Sequence, residues 1–496
     1  MTVTDSTSPP EGGLVEWWLH QPPSVDRFPI ELLTSEEVVV ELQRVQAQKA
    51  MQAAYEAELV MALAAARPDT DDPPPGHPGA RRRGAGSPVP GTSEFLPDEL
   101  AMVLNCGGPY ATGRLSDAYQ LVERMPAVHA ARAAGRLDDY RARIFADVLG
   151  TASDEVIAVV VPAVLPVAAS ISSGKLRKKL IAAAIAADEE FAERRRIEAE
   201  RRAAVRLYPT ADGMSALTTE APSAVAAAMW SVIDQAAQLA KTAGDDRPIG
   251  VLRAEAHAAL VLGTRDDDRP AITGHLTITA PLATLGGQCE PVDAAWMPTV
   301  AGAPVTAAHL RELLTQLGAL GVQAPPGGSL ALALTDDDGA LLATASLAEL
   351  TRLVARGCAE HGKAADCDCD CPVLGPPPEV PGYSHTAAQE RFLRLRDRTC
   401  RHPGCGQPAA RTDADHVVAY DCGGRTSCDN LCCLCRSHHR LKTFARGWRF
   451  RMDPDGTLHV TTPSGITRST RPPGLRDQRA LPPPRPSPVD DDPPPF

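Results

Sequence analysis

Leu434-Cys435-Arg436-Ser437-His438-His439-Arg440-Leu441-Lys442 packs metal donors and bases into nine residues, and Thr399-Cys400-Arg401-His402-Pro403-Gly404-Cys405 precedes it by some thirty positions. Four residues separate Cys400 from Cys405, and two separate Cys435 from His438. Together they make a Cys3His donor set, the closed tetrahedral coordination expected of structural zinc. Arg401 to Gly404 form a tight loop that can aim both thiolates at one ion. The alternative is buried or reactive cysteines without metal.

Thirteen cysteines in a small exported chain would suggest disulfides, but this chain has 496 residues. Its N-terminus, through Trp17 and Trp18, lacks a basic start followed by an apolar core, so no secretory signal and a cytoplasmic location are expected. Reduced thiols and metal ligation follow, and eleven of the thirteen cysteines lie between Cys358 and Cys435. A net charge of -12 argues against a nucleic-acid partner until its distribution is considered. Arg391 to Arg451 holds thirteen Arg and Lys against five Asp and Glu, a local charge of +8 that leaves -20 on the remainder. A basic module is attached to an acidic body.

Inside the Cys/His frame stand Asp415-His416, Gly423-Gly424, Asn430-Leu431 and His439, in that order. This arrangement resembles the HNH, or ββα-metal, endonuclease family, with His438 where that family often has a second Cys; zinc accepts either donor. The resemblance implies a metal-dependent endonuclease hydrolysing phosphodiester bonds in nucleic acid, with DNA the expected substrate. His416 is the expected general base, since a neutral imidazole takes a proton near neutral pH better than a carboxylate does. Asp415 and His439 are expected to ligate a catalytic divalent ion, Mg2+ or another. In the family, the residue matching Asn430 ties together the loop that orients the base. Lys442, and with it Arg440, is expected to contact phosphate. The rival reading is a zinc-dependent nucleic-acid-binding protein without cleavage activity, which would need the basic surface but not Asp415, His416 or His439.

Upstream, Gly135-Arg136-Leu137, an expected Glu193 to Arg206 helix feeding Asp212-Gly213-Met214, and Arg396 to Cys405 look like high-GC bacterial proteins that join a domain of unknown function to an HNH nuclease. That similarity covers most of residues 35 to 452 and brings no activity for the N-terminal part. Self-association or a protein partner through that part is expected.

The resulting fold class is α+β: a mainly helical N-terminal domain with β-hairpins, plus a small zinc-stapled ββα-metal module at the C-terminus. Thr34 and Glu37 form a capping box for a first helix from Ser35 to Ala66, within an N-terminal segment 1–67. A flexible Pro-rich insert is expected over 68–94, and a mainly helical domain over 95–357. Within that domain Val156 to Ile171, interrupted by Pro162 and Pro166, is too short for the roughly 20 residues of a membrane span and predicts a buried helical hairpin. A long basic helix is expected through Leu176, Leu180, Ile185 and Arg206, its arginines either a solvated face or a DNA contact. Hairpins are predicted over Val205 to Thr219 and Leu330 to Ala345, helices near Ala221 to Ala243 and Ala307 to Leu317, and a strand over His275 to Ala280. A Cys/Pro-rich connector follows over 358–390. In it Cys367-Asp368-Cys369-Asp370-Cys371, with Cys358 and His361, suggests either a second zinc site or a solvent-exposed loop. The nuclease module occupies 391–452, with Cys432 and Cys433 placed on a helix, then a short extension over 453–470 and a disordered Pro-rich tail over 471–496.

Overall fold

The computed structural model describes residues 27–74, 76–77, 79–80, 86–188, 190–210, 214–262, 278–279, 299–300, 303–316, 331–335, 340–346 and 375–473. Helices α1 (Ser35–Ala65), α2 (Leu96–Leu104), α3 (Gly108–Tyr119), α4 (Pro126–Ala133), α5 (Asp139–Leu149), α6 (Asp154–Ala168), α7 (Ser173–Ala187) and α8 (Phe191–Arg201) precede the first hairpin, β1 (Ala204–Pro209) with β2 (Ser215–Glu220). Then come α9 (Ser223–Thr242), α10 (Ile249–Leu262), the short strands β3 (Ile278–Thr279), β4 (Thr299–Val300) and β5 (Ala303–Pro304), and α11 (Ala307–Gln316). A hairpin of β6 (Ala331–Thr335) and β7 (Leu341–Ser346) precedes α12 (Ala387–Asp397). The chain continues through β8 (Thr412–His416), β9 (Leu431–Cys435), α13 (Arg436–Phe444), β10 (Arg449–Met452), β11 (Leu458–Thr461) and β12 (Thr467–Thr470). The architecture is mixed helix and sheet, helical toward the N-terminus. No helix among the described residues is long and apolar enough to cross a membrane.

The chain divides into two compact units, one comprising Met1–Ala62 and Asp117–Asp188, the other Leu63–Ser116 and Glu189–Phe496. In the first unit α1 starts where the capping box places it: the Thr34 amide and hydroxyl both donate to Glu37 Oε2, at 2.8 and 2.9 Å. Val156 to Ile171 does not fold as a hairpin. It forms the single helix α6 through both prolines, burying Val156, Ile157, Val160, Val161 and Val164, and the hairpin is the one α6 makes with α7. The long basic helix is likewise corrected. It breaks at Asp188, where α7 ends with extended backbone, and Arg206 lies on β1. The α8 arginines are solvent-facing and ion-paired: Arg196 with Glu193 and Glu200, Arg202 with Glu198.

The second unit carries the cysteines. Strand β9, Leu-Cys-Cys-Leu-Cys, pairs antiparallel with β8 and is covered on both faces, as its unbroken apolar run requires. Because side chains alternate, Cys432 and Leu434 pack with Met102, Cys400, Val417, Leu458 and Val460, while Leu431 and Cys433 pack with Phe392, Leu393, Ala409 and Cys428. Cys432 and Cys433 thus sit on a strand, not a helix. Burial pushes the Cys428 thiol up to about 11 and that of Cys433 up to about 12, and both side chains pack into the apolar core around Leu431.

Residues 453–470 supply β11 and β12, which join β10 in an antiparallel three-stranded sheet whose Leu458 and Val460 fill the core just described. The described part of 68–94, expected to be a loose insert, closes on itself by a Pro68–Thr92 bridge. Beyond that it rests on α13, where Phe444 contacts Gly79 and meets His77 edge-on at 5.7 Å. Its prolines depress apolar content, but they also reduce the conformational entropy lost on ordering. The Cys358 to Cys371 cluster, the turns at 211–213 and 336–339, and residues 474–496 lie outside the described residues.

Asp397, with no solvent exposure, gathers this unit. Its carboxylate accepts from Arg396 Nε (2.8 Å), Arg401 Nη1 (2.9 Å) and the Cys433 amide (2.8 Å). Burial alone would raise its pKa; the Arg396 charge and hydrogen bond, with Arg401 and the Cys433 amide, hold it below the ordinary value. The two guanidinium groups then donate to the carbonyls of Cys428, Leu431, Gly456 and Thr470. Replacing Asp397 by Ala leaves two buried cations without their carboxylate, a loss of about 3–5 kcal/mol by analogy with broken buried ion pairs. The expected outcome is a large drop in the denaturant midpoint of this unit; a midpoint equal to wild type would contradict the keystone role.

Candidate functional site

Two adjacent residues of α13, His438 and His439, face different neighbours because successive helical side chains lie about 100° apart. The Nδ1 atom of His438 lies 3.2 Å from Cys435 Sγ and 3.4 Å from Cys400 Sγ. With Cys405, the four donor atoms all lie within 4.8 Å of one another, a cluster that could hold a metal ion such as zinc. Gly404 makes the Cys400–Cys405 loop possible: its φ is +75°, and a Cβ there would stand 2.8 Å from the Cys106 carbonyl oxygen. Neutral His402, its pKa pushed down to about 3 by burial and the neighbouring His438, stacks on the His438 ring at 3.8 Å and 2°. On the far edge of that ring, Nε2 meets Asp98 Oδ1 at 3.2 Å.

The thiols also fit a cation chemically. Hydrogen bonds with Cys400 and Cys405 hold the Cys435 thiol far below its ordinary range, and the corresponding bonds with Cys405 and Cys435 push Cys400 far above. With the donor atoms within 4.8 Å of one another, successive ionisations of these thiols oppose one another, which a divalent ion relieves by replacing their protons.

On the other side of α13, His439 Nδ1 meets Asp413 Oδ2 at 2.9 Å, and its Nε2 lies 3.4 Å from Asp415 Oδ1. Asp413 and Asp415 alternate along β8 and share a face, and that face turns toward α13. Asp415 Oδ2 is buried without a hydrogen bond, although Lys442 Nζ stands at ion-pairing distance, 3.1 Å.

His416 ends β8, almost fully buried, with Nε2 2.8 Å from Thr426 Oγ1 and its ring stacked on Tyr383 at 5.3 Å. Burial lowers its pKa from the ordinary 6.5; Asp415 opposes the shift, while Lys442 and His385 add to it. Asn430 closes the loop between β8 and β9. Its Nδ2 donates to the carbonyls of Val418 (3.0 Å) and Arg425 (2.9 Å), and its Oδ1 accepts from the Val418 amide (2.9 Å). Gly424 is required there, since a Cβ would fall 1.8 Å from the Val418 carbonyl oxygen.

Arg440 does not take the place expected of it. Its guanidinium is spent on both Glu94 oxygens (2.7 and 2.9 Å) and on the Gly79 carbonyl, against the Phe95 ring, with 11% of the side chain exposed. Sequence reasoning missed Asp98, Asp413, Thr426 and Tyr383. Only Asp413 carried a local signal, its period-two spacing from Asp415.

The fold and site define a mixed helix–sheet protein with a metal-competent Cys3His cluster near its C-terminus. The chain belongs to the family described as "Domain of unknown function (DUF222)", whose profile matches residues 40–316. It is similar to Uncharacterized protein Rv3776 of Mycobacterium tuberculosis, 46% identical over 114 residues, which are 22% of each chain. Uncharacterized protein Rv2100 of the same species is 48% identical over 92 residues, 18% of this chain and 16% of that one. Uncharacterized protein Mb1179c of Mycobacterium bovis is 32% identical over 76 residues, 15% and 16%. The matches span at most 22% of these relatives' lengths. No solved structure matches the chain.

In the full-length protein, Cys400→Ser and Cys435→Ser should each lower zinc stoichiometry and the melting temperature of the second unit, because in a small metal-stapled module much of the metal-binding free energy is folding free energy. Elemental analysis beside thermal melting measures both. Full zinc occupancy with an unchanged melt in both variants would remove the structural-metal reading.

Proposed function

We propose that the C-terminal module is an HNH-type, metal-dependent endonuclease acting on nucleic acid, with DNA the expected substrate. The observation that carries the reading is the convergence of His439 Nε2 and the buried Asp415 carboxylate next to His416, on a β-hairpin followed directly by a helix. If His439 Nδ1–H donates to Asp413, its Nε2 keeps a lone pair, and that lone pair and Asp415 make two inward-facing ligands fitting a divalent ion such as Mg2+. Bound there, such an ion would offset charge on a phosphate and its leaving oxygen.

The remaining work falls to side chains. Thr426 Oγ1 lies 3.4 Å from the Tyr383 carbonyl oxygen, to which its single hydrogen can be donated. It then accepts from His416 Nε2–H, leaving the Nδ1 lone pair to take a proton from water as that water attacks phosphorus; the bond from phosphorus to the leaving oxygen breaks, and that oxygen takes a proton from solvent. Asn430 holds the loop that follows His416 and so fixes the base. Lys442, whose Nζ stands 3.1 Å from Asp415 Oδ2, is the cation assigned to phosphate in this reading. Arg436, 75% exposed beside Asp413, is a better phosphate contact than Arg440.

Supercoiled-plasmid cleavage with a panel of divalent metals tests this. Wild type should nick or cut; His416→Ala should lose at least about 100-fold, the lower range for a general base, while keeping zinc and DNA affinity. Asn430→Ala should be impaired through its loop. Cleavage by His416→Ala at the wild-type rate would sink the assignment. DNA binding without cutting under any metal would favour the binding-protein alternative.

The lowered His416 pKa gives a further expectation. A base that must be neutral works above its pKa, so kcat/KM should stay level through neutral pH and fall only below 6.5. An acid limb centred above 6.5 and unchanged in its pKa by Thr426→Val would contradict the role given to His416.

A further inference from the structure

Asp98 is 340 residues from His438 in sequence, yet its carboxylate meets the one edge of the His438 ring that does not face the cysteines. A neutral imidazole has a single N–H. When Nε2 carries it toward a carboxylate, Nδ1 has its lone pair directed elsewhere, and here that direction is toward Cys400 and Cys435, at 3.4 and 3.2 Å. The opposite tautomer would point a proton into the thiol cluster and leave Nε2 lone-pair to carboxylate. His402, stacked flat on the ring, fixes its plane, and Asp98 fixes its rotation within that plane.

The helix that carries Asp98 is held in register from several sides. Asp98 and Met102 lie one turn apart on one face of α2, and Glu94 stands in the turn just before that helix. Glu94 takes Arg440 of α13, and Met102 enters the core with Cys400, Cys432 and Leu434 while its carbonyl accepts from Arg468 of β12. Glu99 accepts from Arg67 at 2.7 Å and from the Ser464 amide at 3.1 Å. A surface ion pair held by nothing else would wander; this one sits between two docked helices, with 17% and 10% of the side chains exposed.

We infer that Asp98, in the DUF222-matched part of the chain, is the outer carboxylate of the Cys3His metal centre, selecting the His438 tautomer that ligates through Nδ1. The family domain thereby supplies a working piece of the C-terminal module. This does not depend on the nuclease reading: it holds whether or not the protein cuts nucleic acid.

Such outer partners typically change metal affinity by ~10–100-fold when removed. The experiment is zinc competition against a chromogenic chelator with the full-length protein, comparing wild type, Asp98→Ala, Asp98→Asn and Glu94→Gln. Asp98→Ala should weaken zinc binding by about 10–100-fold. Asp98→Asn, the same shape with an acceptor but no charge, should lose less and keeps the test answerable if the alanine variant fails to fold. Glu94→Gln, which loosens the docking of α2 on α13 but leaves the His438 contact, should bind zinc as wild type does. Wild-type affinity in both Asp98 variants would overturn the inference. So would an equal loss in Glu94→Gln, because the effect would then belong to helix docking and not to the carboxylate.

Discussion

One buried carboxylate organises the cysteine-bearing unit. Asp397 ends α12 and binds two arginines, which also donate to the carbonyls of Cys428 and Leu431 and of Gly456 and Thr470. Through Arg396 the helix is fixed to the loop before β9 and to β9 itself; through Arg401 the Cys400–Cys405 loop is fixed to the three-stranded sheet. A direct bond to the Cys433 amide adds the strand that both cores share. Burying this charge is unfavourable in isolation and tolerable only with every donor in place, so the network specifies one arrangement more than it adds net stability.

Given that arrangement, α13 can serve two sites at once. It begins directly after β9, so Cys435 and His438 come within one turn of each other and close the Cys/His cluster. The next residue, His439, is rotated toward β8 and its alternating aspartates. The Cys/His cluster therefore sets the azimuth of the helix that presents His439 and Lys442. This is the structural reason that loss of the Cys/His cluster is expected to disturb the proposed catalytic constellation.

Much of the site was legible because its logic is local. Ligand pairs within six residues, a capping box, alternation along a strand and a glycine pair at a tight loop each follow from chain geometry over a few positions. The errors have physical causes of the same kind. Pro162 and Pro166 read as interruptions, yet α6 runs through both and buries the valines around them. Cys432 and Cys433 read as helical because a short apolar run buried on both faces has no period to distinguish strand from helix. Arg440 matched a phosphate-contacting position by type and spacing, and no local pattern could reveal that Glu94 would claim it.

By itself, then, the sequence determined the donor set, the mixed helix–sheet class and the order of Asp415, His416, Asn430 and His439, since these depend on residue chemistry and on separations the chain cannot exceed. Tertiary structure alone decided which charges meet. Asp98 with His438 and Glu94 with Arg440 pair elements whose approach is set by core packing around Met102, Cys432 and Leu434. A carboxylate becomes a partner of a metal centre, a clamp or a keystone according to what packing places within about 3 Å of it, the reach of a hydrogen bond, and that distance is a property of the folded whole.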